Sequence, residues 1–134
     1  MADFSRRGFV GGAVMLGAAA LAGCGGKEKE SAKVVHHVFF WLKAPASVAM
    51  QEKLIEGLET LRDIAQVKKL LIGRPAPTLS REVIDNSYHV SELIYFNSIA
   101  EQDAYQKDPV HKAFVEKYST LWERVIVYDM LVEV

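Results

Sequence analysis

The chain has four histidines, and two of them, His36 and His37, stand side by side in a run of β-branched and aromatic residues. Neighbours on an extended chain point to opposite faces, so the pair cannot chelate one ion, and at most one of the two serves a given pocket. Glu92 is the next residue with chemistry to offer. It breaks the row Val90, Glu92, Ile94, Phe96, whose other members are apolar. His111 follows Asp108-Pro109, a pair that starts a helix, so it is the third helical residue. There the positive end of the helix dipole lowers an imidazole's affinity for a proton, leaving a neutral base for acid–base work that needs no cofactor. The same side chain could equally pack on the helix start and bond locally. His36, Glu92 and His111 together have the composition of a non-haem iron or zinc site. No His-x-x-x-His spacing supports that, because the three come from separate elements, and neither a metal nor a cofactor is expected. A hydrogen bond or ion pair from Glu92 to His36 or His111 is the simpler expectation, since a buried carboxylate without a partner is costly.

The elements that must hold these groups can be read from periodicity. Val34 to Lys43 predicts a strand with His36, Val38, Phe40 and Leu42 on one face and His37, Phe39, Trp41 and Lys43 on the other. Both faces are apolar, so both are expected to be covered, one of them by a second subunit. Ser47 caps a predicted helix with Leu54, Leu58, Leu61 and Ala65 along one face. Val67 to Gly73 reads as a short strand and Arg74 to Thr78 as a rigid turn opening a polar loop to Ser87. Tyr88 to Phe96 is a third strand, with His89 on the face opposite Glu92; His89 and Trp41 are assigned to a dimer interface. Ser98 to Glu101 has the capping-box spacing, which starts a helix that Asp108-Pro109 restarts. The restarted helix carries Phe114, Val115, Tyr118, Leu121 and Trp122, and Val125 to Val134 closes the chain as a fourth strand. The order β-α-β-β-α-β is the ferredoxin-like arrangement, an α+β fold with helices on one face of an antiparallel sheet.

The first residues are of another kind. Ser5-Arg6-Arg7-Gly8-Phe9-Val10 looks like a twin-arginine export motif, and the Gly/Ala-rich run Gly11 to Ala22 behind it is shorter than the about 20 apolar residues a membrane-spanning helix needs. It ends in Leu21-Ala22-Gly23-Cys24, which looks like a lipobox. A lone cysteine cannot form an internal disulfide, and acylation explains its place after two small residues. Residues 1–23 are therefore read as a lipoprotein signal peptide, 24–33 as a flexible tether carrying lipidated Cys24, and 34–134 as the folded domain. The location this implies is a bacterial membrane surface facing the periplasm or the exterior. Without Asp3, Arg6 and Arg7 the chain keeps 14 Lys and Arg against 16 Asp and Glu. That balance gives no electrostatic case for nucleic acid.

Three stretches of the folded part together resemble the stress-responsive A/B barrel (Dabb) family. They are His36 to Lys43, the run Ala104-Tyr105-Gln106-Lys107-Asp108-Pro109-Val110-His111-Lys112-Ala113-Phe114, and Val125-Ile126-Val127-Tyr128-Asp129. The resemblance implies a homodimer in which two four-stranded sheets close a shared barrel. It also implies, by likeness to a plant polyketide cyclase of that family, that Tyr105 and His111 are catalytic and that Trp122 is a pocket wall. The same likeness puts His36, Val38, Phe40, Leu54, Ile55, Leu58, Ile94, Val125 and Val127 around the pocket, with Glu92 where the cyclase is apolar. A His common before the Pro in the family is Asp108 here.

Two functions follow. One is a tethered binding or stress-associated module whose pocket holds a small hydrophobic or aromatic molecule. The other is a cofactor-independent lyase, isomerase or monooxygenase with His111 as base and Tyr105 as orienting donor. An open cavity reaching His36, Glu92, Tyr105 and His111 favours the second, and a side-chain-filled interior favours the first.

Overall fold

A computed structural model describes residues 33–133. The proposed signal peptide with Arg6 and Arg7, lipidated Cys24 and all but the last residue of the tether lie outside the described residues. That last residue, Lys33, is tied to the chain just past β4, its carbonyl accepting from the Val132 amide at 2.9 Å.

The elements run β1 (Val34–Leu42), α1 (Val48–Glu59), β2 (Lys69–Gly73), β3 (Val90–Phe96), α2 (Ile99–Lys107), α3 (Pro109–Tyr118) and β4 (Trp122–Leu131), with short 3-10 turns at Thr60–Asp63 and Ser119–Leu121. The four strands form one antiparallel sheet in the order β2-β3-β1-β4. This is the ferredoxin-like α+β fold. Among the described residues no helix is long and apolar enough to cross a membrane.

Local chemistry sets the helix starts. The Ser47 hydroxyl accepts from the Met50 amide at 3.2 Å and Ser98 from the Glu101 amide at 3.0 Å, while the Asp108 carboxylate accepts from Val110 at 2.8 Å with Pro109 at the first helical position. Glu101 closes its box one residue early, accepting from the Asn97 amide rather than from Ser98. Period two holds in β1 and β3: Val38, Phe40 and Leu42 are buried with Val90, Ile94 and Phe96.

Two details differ from expectation. The 3-10 turn after Glu59 shifts the helical period, so Ile64 takes the buried place expected of Ala65, which is exposed. Trp122 belongs to β4, which begins three residues earlier than Val125. A register shift between Trp41 and Leu42 pairs Leu42 with Trp122 and Trp41 with Arg124, and the skipped residue turns the Trp122 side chain inward.

Candidate active site

The inner face of the sheet and the α2–α3 pair enclose a cleft of about 130 Å³. Its floor is laid by cross-strand register. Val38 is opposite both Glu92 of β3 and Val127 of β4, Phe40 is opposite Val125, and His36 is opposite Asp129. Its roof is Tyr105 and Gln106 from α2 with His111, Phe114 and Val115 from α3, and Trp122 closes one end. The four groups that carry chemistry, His36, Glu92, Tyr105 and His111, all line this one cleft. Leu54, Leu58 and Ile94, expected in its wall, do not line it: each is fully buried in the core between α1 and the sheet. Ile55 is half-buried against the same core. Gln106, Phe114 and Val115 line the cleft unannounced by the sequence, although Phe114 stands three residues after His111, and so on a neighbouring strip of one helix face.

His111 is half-buried, its ring 4.7 Å from that of Tyr105 and 6.4 Å from that of Phe114. Burial lowers its proton affinity and the charge of His36 lowers it further, against the upward pull of the Gln106 carbonyl and of Asp108. The outcome is the neutral imidazole expected of a helix start, with loss of water as the leading cause. Tyr105 is 1 % exposed, and burial, with Glu92 nearby, holds its hydroxyl protonated well beyond the ordinary tyrosine range. It packs between His111 and Phe96, whose ring centroid is 5.0 Å away.

Glu92 is not bonded to His36 or His111, contrary to expectation. It is 3 % exposed, and among the described residues its Oε2 has no hydrogen-bond partner. Loss of water raises its pKa to about 8. His36 turns instead to Asp129, with Nδ1 and Oδ1 2.6 Å apart, and Gln102 Nε2 lies 3.2 Å from the same Nδ1. Asp129 reaches outward into a separate, larger groove of about 370 Å³ shared with Ile99, Gln102, Asp103 and Met130. His36 therefore bridges that groove and the inner cleft. Among the described residues no three of His, Cys, Asp and Glu are grouped to hold a metal ion, so the iron or zinc composition noted in the sequence is not assembled.

On the sheet's other face His89 and Trp41 have partners within the chain. His89 Nδ1 accepts from the Leu42 amide at 2.9 Å, and Trp41 Nε1 donates to Ser87 Oγ at 3.0 Å beneath the Arg124 guanidinium, 4.3 Å from the ring centroid.

Comparison with known proteins agrees with this architecture. A Dabb family protein with a ferredoxin-like fold from Mesorhizobium loti is 21% identical, with 77% of this chain and 99% of that chain covered and a TM-score of 0.63. A hydroxynitrile lyase from Passiflora edulis is 19% identical, covering 78% and 96% at a TM-score of 0.65. A dimeric ferredoxin-like protein of unknown function from Thermobifida fusca is 15% identical, covering 77% and 93% at 0.62. No curated protein sequence matches the chain. The profile of the Stress responsive A/B Barrel Domain matches residues 34–132, all but the last two residues of the folded part, and the chain belongs to that family.

Proposed function

We propose that this protein is a membrane-tethered homodimer whose inner cleft binds a small molecule with an apolar body and one polar group. The cleft itself carries the reading, because five polar side chains, His36, Glu92, Tyr105, Gln106 and His111, line a space whose other walls are valine and aromatic. Its size sets the ligand class. An apolar protein cavity of about 150 Å³ accommodates benzene, so about 130 Å³ admits one ring or a short branched chain. The tether follows from the Cys24 motif, and the expected outcome is that Cys24→Ser moves the protein from the membrane to the soluble fraction. Retention of the variant in membranes would remove the lipid anchor from the proposal.

The second subunit is supported by the helix-free face. Leu71, Tyr95, Tyr128 and Met130 are all exposed there around Phe39, and a face of that kind needs a cover. Proteins of the same fold described as dimeric favour a second copy of the chain as that cover.

Catalysis is a second reading, favoured by an open cleft that reaches His36, Glu92, Tyr105 and His111; its own observation is the neutral His111 ring tilted against that of Tyr105 at 4.7 Å. A neutral imidazole beside a phenol can move a proton to or from an enolisable carbonyl, as lyase and isomerase chemistry requires. A hydroxynitrile lyase with this fold makes the lyase class the first to screen. His111→Ala separates the two readings. Turnover reduced by about 100-fold or more, with ligand affinity kept within about threefold, supports catalysis; unchanged turnover by the variant sinks it.

A further inference from the structure

Glu92 is the part of the cleft that ligand binding by shape alone leaves unexplained. Its Oε2 has no hydrogen-bond partner among the described residues. The cross-strand neighbours on both sides are Val38 and Ile72, which have no side-chain donor. His36 already meets Asp129 and Gln102 through Nδ1, and among the described residues no lysine or arginine lines the cleft. Aromatic rings line the same cleft. Phe40 and Phe114 stand 5.0 Å and 5.8 Å from Trp122, and Tyr105 shares the lining with Glu92. A carboxyl without a counter-charge in a cleft lined by aromatic rings is the recognition chemistry of an organic cation, which the carboxylate pairs and the ring quadrupoles attract.

We propose that the cleft selects a small primary amine in its ammonium form, with Glu92 as its counter-charge and hydrogen-bond acceptor. The proposal rests on the cleft being a ligand site. Satisfaction of polar atoms favours the amine over a carbonyl compound. A carbonyl oxygen accepts one bond from a protonated Glu92 and leaves the other carboxyl oxygen unserved, whereas the three N–H groups of an ammonium can satisfy both.

Binding of this kind has a pH signature. Burial keeps Glu92 protonated up to about pH 8 in the free protein, so pairing with an ammonium must expel that proton. Affinity then rises about tenfold per pH unit toward pH 8 and levels off until the amine itself deprotonates near pH 10. A ligand that accepts a bond from protonated Glu92 gives the opposite slope, losing affinity above pH 8. The other titratable groups facing the carboxyl are Tyr105 from α2, held neutral by burial, His111 from α3, already neutral by pH 7, and His36 from β1 with Asp129 of β4 behind it.

The test is calorimetric titration of the full-length protein in detergent with benzylamine and with its neutral isostere benzyl alcohol. It is run from about pH 6 to about pH 9 in two buffers of different ionisation enthalpy. We expect benzylamine to bind at least about tenfold more tightly at pH 8, with close to one proton released at pH 7, and Glu92→Gln to remove both the preference and the slope. Benzyl alcohol binding as tightly as benzylamine overturns the amine and leaves the ligand site standing. A slope that survives in Glu92→Gln overturns the role of Glu92. If neither probe binds, the amine and the ligand site fall together. The wild-type pH series decides the sign even if the variant folds poorly.

Discussion

Glu92 holds its proton to about pH 8 because burial strips water from its carboxylate, and this makes it a liability for the fold as well as a tool. Its pKa in the folded state lies above the unfolded value of 4.5, so the folded state binds the proton more tightly. The associated stability is present in full below the unfolded pKa and is lost as pH rises from there through about 8. Between about pH 5 and about pH 9 the loss is on the order of 4 kcal/mol, and Glu92→Gln should flatten it. Urea unfolding of both proteins at the two pH values checks this; parallel pH dependences would show that another group titrates. The misfit of Glu92 was legible as a break in an apolar alternation, and so was the neutral state of His111. Its company was not. Alternation tells which face a side chain takes, but not which strand lies beside it, and His36 meets Asp129, 93 residues away, through a register that only the assembled sheet defines.

Elements were legible where short-range chemistry fixes them. Ser47, Ser98 and Asp108 accept from backbone amides two or three residues ahead, so the three helices begin where those side chains stand. The less readable limits are those set by packing: the 3-10 turn after α1, and the early start of β4 imposed by its shifted pairing with β1. One contact between elements has a sharp requirement. Gly57 lies where α1 crosses α3, and a methyl group there would come within 2.6–2.8 Å of the Tyr118 ring, which is held by a 2.9 Å bond from its hydroxyl to Glu56. Overpacking costs about 1–3 kcal/mol, against a gain of up to about 1 kcal/mol for Ala over Gly in a helix. Gly57→Ala should therefore destabilise by roughly 1–2 kcal/mol, seen as a lower urea midpoint at unchanged m-value. A variant as stable as the parent would mean that the two helices part easily.

At the scale of the whole molecule the sheet has a covered face and a bare one, and the bare face is where the second copy is proposed to sit. Tyr128, on the edge strand β4, is 64% exposed there, next to Phe39. Tyr128→Asp would place a charge in an apolar interface while leaving the inner cleft untouched, and sedimentation at micromolar concentration should find a monomer with native far-ultraviolet dichroism. A variant that sediments as the parent does would move the interface elsewhere. The doubly apolar strand β1 made this face readable in advance, because one sheet side without helices has no other reason to be apolar. The two tryptophans divide the same way: Trp41 lies on the bare face under Arg124, and Trp122 closes the end of the cleft. The chain thus carries one intrinsic fluorophore for each of its two proposed encounters. With Trp41 replaced by Phe, emission reports occupancy of the cleft alone; with Trp122 replaced, it reports assembly alone. The two events can be timed separately without attaching a dye.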